Sequence, residues 1–345
     1  MAPPAPTQRE GPALGARCSP EVSLLGFSDG LDKATFDGTA VAGLSALRVT
    51  RPSRALTLVD NVGAPARVYH LSLAIGRRGL AVDVRGVTTL KAPDGTPYSG
   101  ADFDGEGLVV ERGGATLLAS SEVEPSIRRF RLSDGRQVAE FRVPSRFRVT
   151  PEGEAEQNQT LEALAATPSG RVLYAGMEGP LAPDGRDAED RGLQRVLRYD
   201  GRSGRGYVPT AQYAYRTDPA LGLVELVALG GGQLLALERG FVEGFGNTIR
   251  VYRVSAKGAP DVTGVASLGT AEDPGTFLRK ELLVDLAACP PSGATAKQPQ
   301  PNPLLDNVEG MALSGRTLYL ISDDNANPSQ TTRVYALGAR PRLKA

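Results

Sequence analysis

Tryptophan is absent, histidine occurs once and cysteine twice in 345 residues. So few imidazoles and thiols exclude a conventional zinc site. A Ser-His-Asp triad would have to use His70, and nothing in the sequence nominates a serine to partner it. No G-x-S-x-G nucleophile elbow is present, and no stretch has EF-hand spacing. No run of eighteen apolar residues occurs, so no segment reads as a membrane-spanning helix. Lysine and arginine total 39 against 39 aspartates and glutamates. That balance supplies no basic surplus for nucleic acid. A long helical period is missing too, and the best helical stretch, Ala271 to Ala288, is broken by proline.

Turn formers are abundant by contrast, with Gly 41 and Pro 26, as a chain of many tight turns requires. The first residues, MAPPAPTQREGPALG, carry no apolar signal core. A mature secreted chain given a new Met fits them, and so does a cytosolic chain with a loose tail. Residues 1–17 are expected to be a flexible polar segment, with residues 18–345 forming one domain. Cys18 and Cys289 lie near opposite ends of the chain. A fold that closes on itself would let them bond in an oxidising compartment; otherwise they are two separate buried thiols.

One phrase recurs. LDNVEGMALSGRTLYLISDDN spans Leu305 to Asn325. Its relatives are DGEGLVVERGGATLLASSE from Asp104, TLEALAATPSGRVLYAGME from Thr160 and LVELVALGGGQLLALERG from Leu223. A fourth relative, AGLSALRVTRPSRALTLVDN from Ala42, has serine where the others carry glutamate. Alternating β-prone residues around a glycine turn read as antiparallel hairpins. A hairpin returns its end to its start. The opening acids Glu106, Glu162, Glu225 and Glu309 should therefore share a rim with the closing acids Asp60, Glu122, Glu178, Glu238 and Asp323 or Asp324.

Further strands follow each hairpin, for example SIRRFRL and RQVAEFRV after Glu122. Four antiparallel strands per repeat make a propeller blade. EVSLLGF, near the N-terminus, reads as a strand that completes a sheet begun elsewhere. Successive openers, counted from Gly43, are 63, 56, 63 and 84 residues apart. A blade needs about 40–50 residues, so the longest gap could hide a degenerate unit. The expected fold is all-β, a six-bladed β-propeller with four-stranded antiparallel blades and a polar N-terminal tail.

In such a fold the acids would ring one mouth of a central channel. Gathered carboxylates repel unless a cation, an arginine or a captured proton intervenes. An oxygen-only donor set favours calcium or magnesium. Calcium is the expected ion, with Glu106, Glu122, Glu162, Glu178, Glu238, Glu309 and Asp324 as candidate ligands. The alternative makes the glutamates latches that accept backbone N–H bonds from neighbouring blades.

These phrases resemble the phytase-like family, labelled esterase-like activity of phytase. The resemblance rests on DGEGL with ASSE, QTLEALAATPSGRVLYAGMEG, LLALERG with GNTIRVYRV, and the terminal NVEGMALSGRTLYLISDDNANPSQTTRVYAL. It covers most of residues 40–337. Two departures are LVDN at Leu58 to Asn61 and Ala163 in place of the usual glycine after Glu162. The resemblance implies a secreted bacterial propeller, extracellular or periplasmic, that hydrolyses phosphomonoesters or related small-molecule esters with calcium. Glu106, Glu162 and Glu309 would then be catalytic through the metal, with Lys280 or an arginine adding positive charge. Neither nucleic acid nor a transmembrane segment is expected, and the expected state is a monomer. A noncatalytic secreted propeller that binds a ligand or protein, its acids serving as latches or a structural calcium site, remains the second reading.

Overall fold

The computed structural model describes residues 15–63, 65–77, 79–202, 206–271 and 273–339. Five four-stranded antiparallel units surround a common axis, each running outward from an innermost strand. Blade 1 comprises Leu44–Arg51, Arg54–Val59, Arg67–Gly76 and Gly79–Thr89. Blade 2 comprises Gly105–Val110, Thr116–Ser121, Ser126–Arg131 and Gln137–Phe141. Leu161–Ala166, Val172–Met177, Arg191–Arg202 and Gly206–Pro219 form blade 3. Gly222–Gly230, Gln233–Val242, Gly246–Ser255 and Arg279–Asp285 form blade 4.

Blade 5 is assembled from both ends of the chain. Val308–Ser314, Thr317–Ser322 and Val334–Ala339 supply its inner strands. The N-terminal strand Val22–Ser28 pairs outside them, and Ala16–Arg17 adds a fifth strand. EVSLLGF therefore completes a sheet begun elsewhere. Of the N-terminal segment expected to be flexible, residues 1–14 lie outside the described residues. A disulfide joins Cys18 to Cys289, 271 residues away. It fastens the closing strand to the loop that follows blade 4.

The propeller has five blades, not the six expected from the spacing. Among the described residues, the long interval before Glu309 holds no extra sheet. Arg279–Asp285 is the outer strand of blade 4 and pairs with Gly246–Ser255. Before it, the chain makes an excursion onto the outside of blade 3. There Val262 N–H donates to Gln212 O and Leu278 N–H to Ala214 O, and Val262, Leu268 and Phe277 cluster with Leu193 and Ala214. After it, Pro290, Pro291, Pro299, Pro301 and Pro303 deny the chain the amide donors a ladder needs.

Apolar side chains from facing sheets fill the spaces between blades, as where Ala46 and Leu58 of blade 1 meet Leu108 and Leu117 of blade 2. The innermost strands approach closely. A Cβ at Gly107 would lie 2.4 Å from Leu164 Cβ of the next blade, and one at Gly310 would lie 2.9 Å from the backbone of Ala46 and Leu47. This contact explains the glycine that follows glutamate in two of the repeats. Blade 3 keeps Ala163 at that place and carries the small residue on its neighbouring strand instead, as Gly176, which pairs with Ala163. Among the described residues, no helix is long and apolar enough to cross a membrane.

Candidate metal centre

Every innermost hairpin is irregular at the same point. The register slips by one residue between Leu44 and Ala46, Leu161 and Ala163, Leu223 and Glu225, and Val308 and Gly310. Blade 2 has its slip opposite Ser120. A bulge leaves its extra residue unpaired and re-aims its side chain. The bulged residues are Ser45, Glu162, Val224 and Glu309, with Glu106 in the corresponding stretch of blade 2. On the second strand, the residue after the partner of the position preceding the bulge then becomes the true closing position. Those residues are Asp60, Glu122, Glu178, Arg239 and Asp323.

These acids converge. Ligand oxygens of Asp104, Glu106 and Glu122 lie within 4.8 Å of one another, as do those of Glu106, Glu162 and Glu309 and those of Glu122, Glu162 and Glu178. Asp323 and Asp60 lie near enough to Glu309 for its charge to raise their pKa. Against these eight carboxylates stands Arg239, whose Nη2 is 2.5 Å from Glu309 Oε1 and 3.7 Å from Glu178 Oε1. Burial, reinforced by the neighbouring carboxylates, pushes the pKa of Glu106, Glu162 and Asp323 well above the usual range. The same causes raise Asp60 to about 7 and Glu122 to about 8. Without a cation the cluster must hold protons.

Polar atoms there also lack partners. Asp104 is 4% exposed; its Oδ2 accepts from Asn61 Nδ2 at 2.8 Å, while Oδ1 is buried with no hydrogen bond. The Ser45 hydroxyl, at the bulge of blade 1, is likewise buried and unpaired. An all-oxygen donor set with an orphaned carboxylate oxygen fits a hard divalent cation.

Of the seven candidate ligands, five meet here: Glu106, Glu122, Glu162, Glu178 and Glu309. Glu238 and Asp324 do not, because each is one residue from the closing position and strand alternation turns it to the other face. Glu238 accepts from Lys280 Nζ at 2.6 Å and Tyr215 OH at 2.6 Å. Asp324 accepts from Lys33 Nζ at 2.5 Å and from the Gly43 amide. Lys280 is removed from the ring as well. It also bonds Asp218 at 2.8 Å and lies 4.2 Å from the centre of the Tyr252 ring. Glu225, next to the bulged Val224, accepts the amides of Leu226 and of Leu164 in blade 3. It is an inter-blade latch, and Glu122 is one too, taking the Thr160 amide of blade 3.

Sequence reasoning missed Asp104 and Arg239. The signal for Arg239 was a glycine: aligning AGMEG with ALERG on Gly179 and Gly240 places Arg239 under Glu178 and leaves Glu238 one position early. The lone histidine is structural, its Nε2 2.9 Å from Thr88 Oγ1.

The family model described as "Phytase-like: Esterase-like activity of phytase" matches residues 39–326. No functionally curated protein matches in sequence. Solved structures similar to this chain include the iodide structure of Trichoderma reesei Carbohydrate-Active Enzymes Family AA12. It is 10% identical, with 97% of this chain and 100% of that chain covered and a TM-score of 0.45. The PQQ-bound aldose sugar dehydrogenase from Streptomyces coelicolor is 13% identical over 94% of this chain and 99% of that chain, with a TM-score of 0.42. Kuenenia stuttgartiensis hydrazine synthase is 13% identical over 83% and 77%, with a TM-score of 0.38.

Proposed function

The chain belongs to the phytase-like family with esterase-like activity of phytase, and from that premise we propose that its acid ring is a calcium centre that hydrolyses phosphomonoesters or related small esters. The observation that carries this reading is the convergence of Asp104, Glu106, Glu122, Glu162, Glu178 and Glu309 from three blades into three overlapping triplets, each with its ligand oxygens within 4.8 Å of one another. Asp60 and Asp323 border that set. Calcium suits it because carboxylate oxygens at a flexible spacing meet its demand for six to eight hard ligands. Bound calcium would supply a polarised phosphoryl oxygen and an acidified water.

The chain's own residues contribute the rest. Arg239, held between Glu309 and Glu178, fixes one positive charge at the ring and offers a guanidinium fork to an anionic substrate. Its Nε is buried and unpaired, so it keeps donor capacity. Asn307 Nδ2 donates to Glu309 Oε1 at 2.9 Å and holds that carboxylate in place. Asn61 does the same for Asp104. The Cys18–Cys289 disulfide supports an oxidising compartment, extracellular or periplasmic. The proposed working state is a monomer.

One observation favours a second reading. Glu106, Glu162 and Glu309 are only 8%, 6% and 6% exposed, the burial expected of an enclosed structural ion in a propeller that binds rather than cleaves. Phosphate release from phytate and p-nitrophenyl phosphate, with calcium and after chelation, separates the two. Calcium-dependent release lost in Glu309→Gln supports the hydrolase. A calcium-dependent melting temperature with no release from either ester supports the structural ion.

A further inference from the structure

Each innermost strand begins at the acid ring and ends at the opposite face of the propeller. On that far face the charge is reversed. A groove of about 780 Å³ lies between blades 1 and 2, lined by Arg48, Arg51, Arg54 and Arg112 together with His70 and Glu111. A second hollow of about 540 Å³, between blades 2 and 3, shares Arg48, Glu111 and Arg112 with it. Glu111 is the one carboxylate in either lining, and it is already engaged. It receives Arg129 Nε and Nη2, both at 2.7 Å, and the Thr116 hydroxyl at 2.7 Å. Its charge therefore cancels that of Arg129 and leaves the four other guanidiniums uncompensated.

Arg48 is the telling member. It stands on the innermost strand of blade 1 and is half-buried, with burial lowering its pKa and Glu225 raising it. Among the described residues, no carboxylate is within ion-pair distance of it. Glu225 acts on it only across the channel, and Glu225 spends its oxygens on the amides of Leu226 and Leu164. Two fully buried arginines are matched by carboxylates, Arg195 by Asp184 and Arg333 by Asp29, and buried Arg67 is held by the Tyr69 hydroxyl and the carbonyls of Pro65 and Ala40. A half-buried cation that has lost part of its hydration and has no carboxylate at ion-pair distance carries a cost. Three more guanidiniums nearby raise that cost, and a bound anion would remove it.

We propose that the groove between blades 1 and 2 binds a small oxyanion of two or more charges, a phosphate ester or a polycarboxylate, at a site separate from the acid ring. Guanidinium forks match either group through paired N–H donors. The volume is that of a small-molecule site. Arg48 forms the floor, with Arg51 and Arg54 flanking the tight turn between the first two strands of blade 1. Arg112 lies between the two hollows, its Cδ 3.6 Å from where a side chain at Gly170 would begin.

The test is calorimetric titration of the full chain with inorganic pyrophosphate and, separately, citrate, after the protein and buffer have been stripped of metal on a chelating resin, so that no metal at the ring can capture either anion and no soluble chelator, itself a polycarboxylate, competes for the groove. The expected result is saturable binding, weakened about tenfold or more in Arg48→Gln, weakened in Arg54→Gln and unaltered in Glu106→Gln. Arg54 is exposed, so its variant keeps the test valid if Arg48→Gln fails to fold. Binding of pyrophosphate alone identifies a phosphate site, and equal binding of both identifies a charge-selective one; either upholds the proposal. No saturable binding of either anion overturns it, and so does binding that survives Arg54→Gln and Arg48→Gln. Because metal is excluded, this outcome is independent of whether the acid ring is a calcium centre.

Discussion

Arg239→Gln isolates the electrostatics of the ring. Arg239 is the guanidinium between Glu309 and Glu178, and its removal leaves both carboxylates without a positive partner. Breaking a buried pair in this way costs about 3–5 kcal/mol. Unfolding entropy of about 2.1 cal/mol/K per residue over this chain converts that cost to a fall of about 4–7 °C in melting temperature. The fall should be seen by circular dichroism in EDTA at pH 7.5. Calcium supplies the missing positive charge, so at saturating calcium the gap between variant and wild type should narrow. Equal melting in EDTA would refute the argument that Arg239 offsets the acids. A gap that calcium leaves unchanged would refute the argument that arginine and metal serve the same charge.

Other consequences follow from the same geometry. In EDTA, stability should fall as pH rises. Asp60 and Glu122 titrate at about 7 and about 8 in the fold against ordinary values of 3.8 and 4.5, so the native state holds protons that the unfolded chain has released. Their contribution is complete below about pH 4 and lost above about pH 8, up to about 4–5 kcal/mol for either group alone; a flat EDTA profile from pH 5 to 8.5 would contradict this. Glu122→Gln should reduce the calcium-induced rise in melting temperature, whereas Glu238→Gln should leave that increment intact while lowering stability in both conditions; the reverse pattern would mean the register assigned to the closing acids is wrong. Reducing the Cys18–Cys289 bond releases a constraint over 271 residues, and the entropy of so long a loop is about 5 kcal/mol as an upper value. Melting with and without reductant checks it, and no change on full reduction would show the non-covalent closure by Val22–Ser28 to be sufficient. Gly107→Ala should destabilise by about 1–3 kcal/mol through overpacking against Leu164, measured by guanidinium chloride unfolding.

Hairpins, outward strand order and the N-terminal closing strand were legible because strand periodicity and glycine turns are local. Blade number was not. Arg279–Asp285 falls in the 84-residue gap that could hide a degenerate unit, and only its pairing with Gly246–Ser255 assigns it to blade 4. The excursion before it adds length without adding a sheet. The acids were legible as a class but not residue by residue, since one position of slip changes which face a strand residue occupies. Bulges at Glu162 and Glu309 bring those opening glutamates into the ring, while in blade 4 the bulge falls on Val224 and passes the closing position to Arg239. Lys280 looked like a free positive charge and is instead enclosed by Asp218, Glu238 and two tyrosine rings. Those neighbours come from blades 3 and 4 and no local spacing announces them.

The central claim, that the ring of carboxylates is a calcium centre, is tested most directly by calorimetric titration of the metal-stripped protein with calcium at pH 7.5. The account predicts saturable binding accompanied by proton release, because Glu122 and its neighbours must surrender protons to the ion, and loss of that binding in Glu162→Gln. Absence of saturable binding, or binding that persists unchanged in Glu162→Gln, would contradict it.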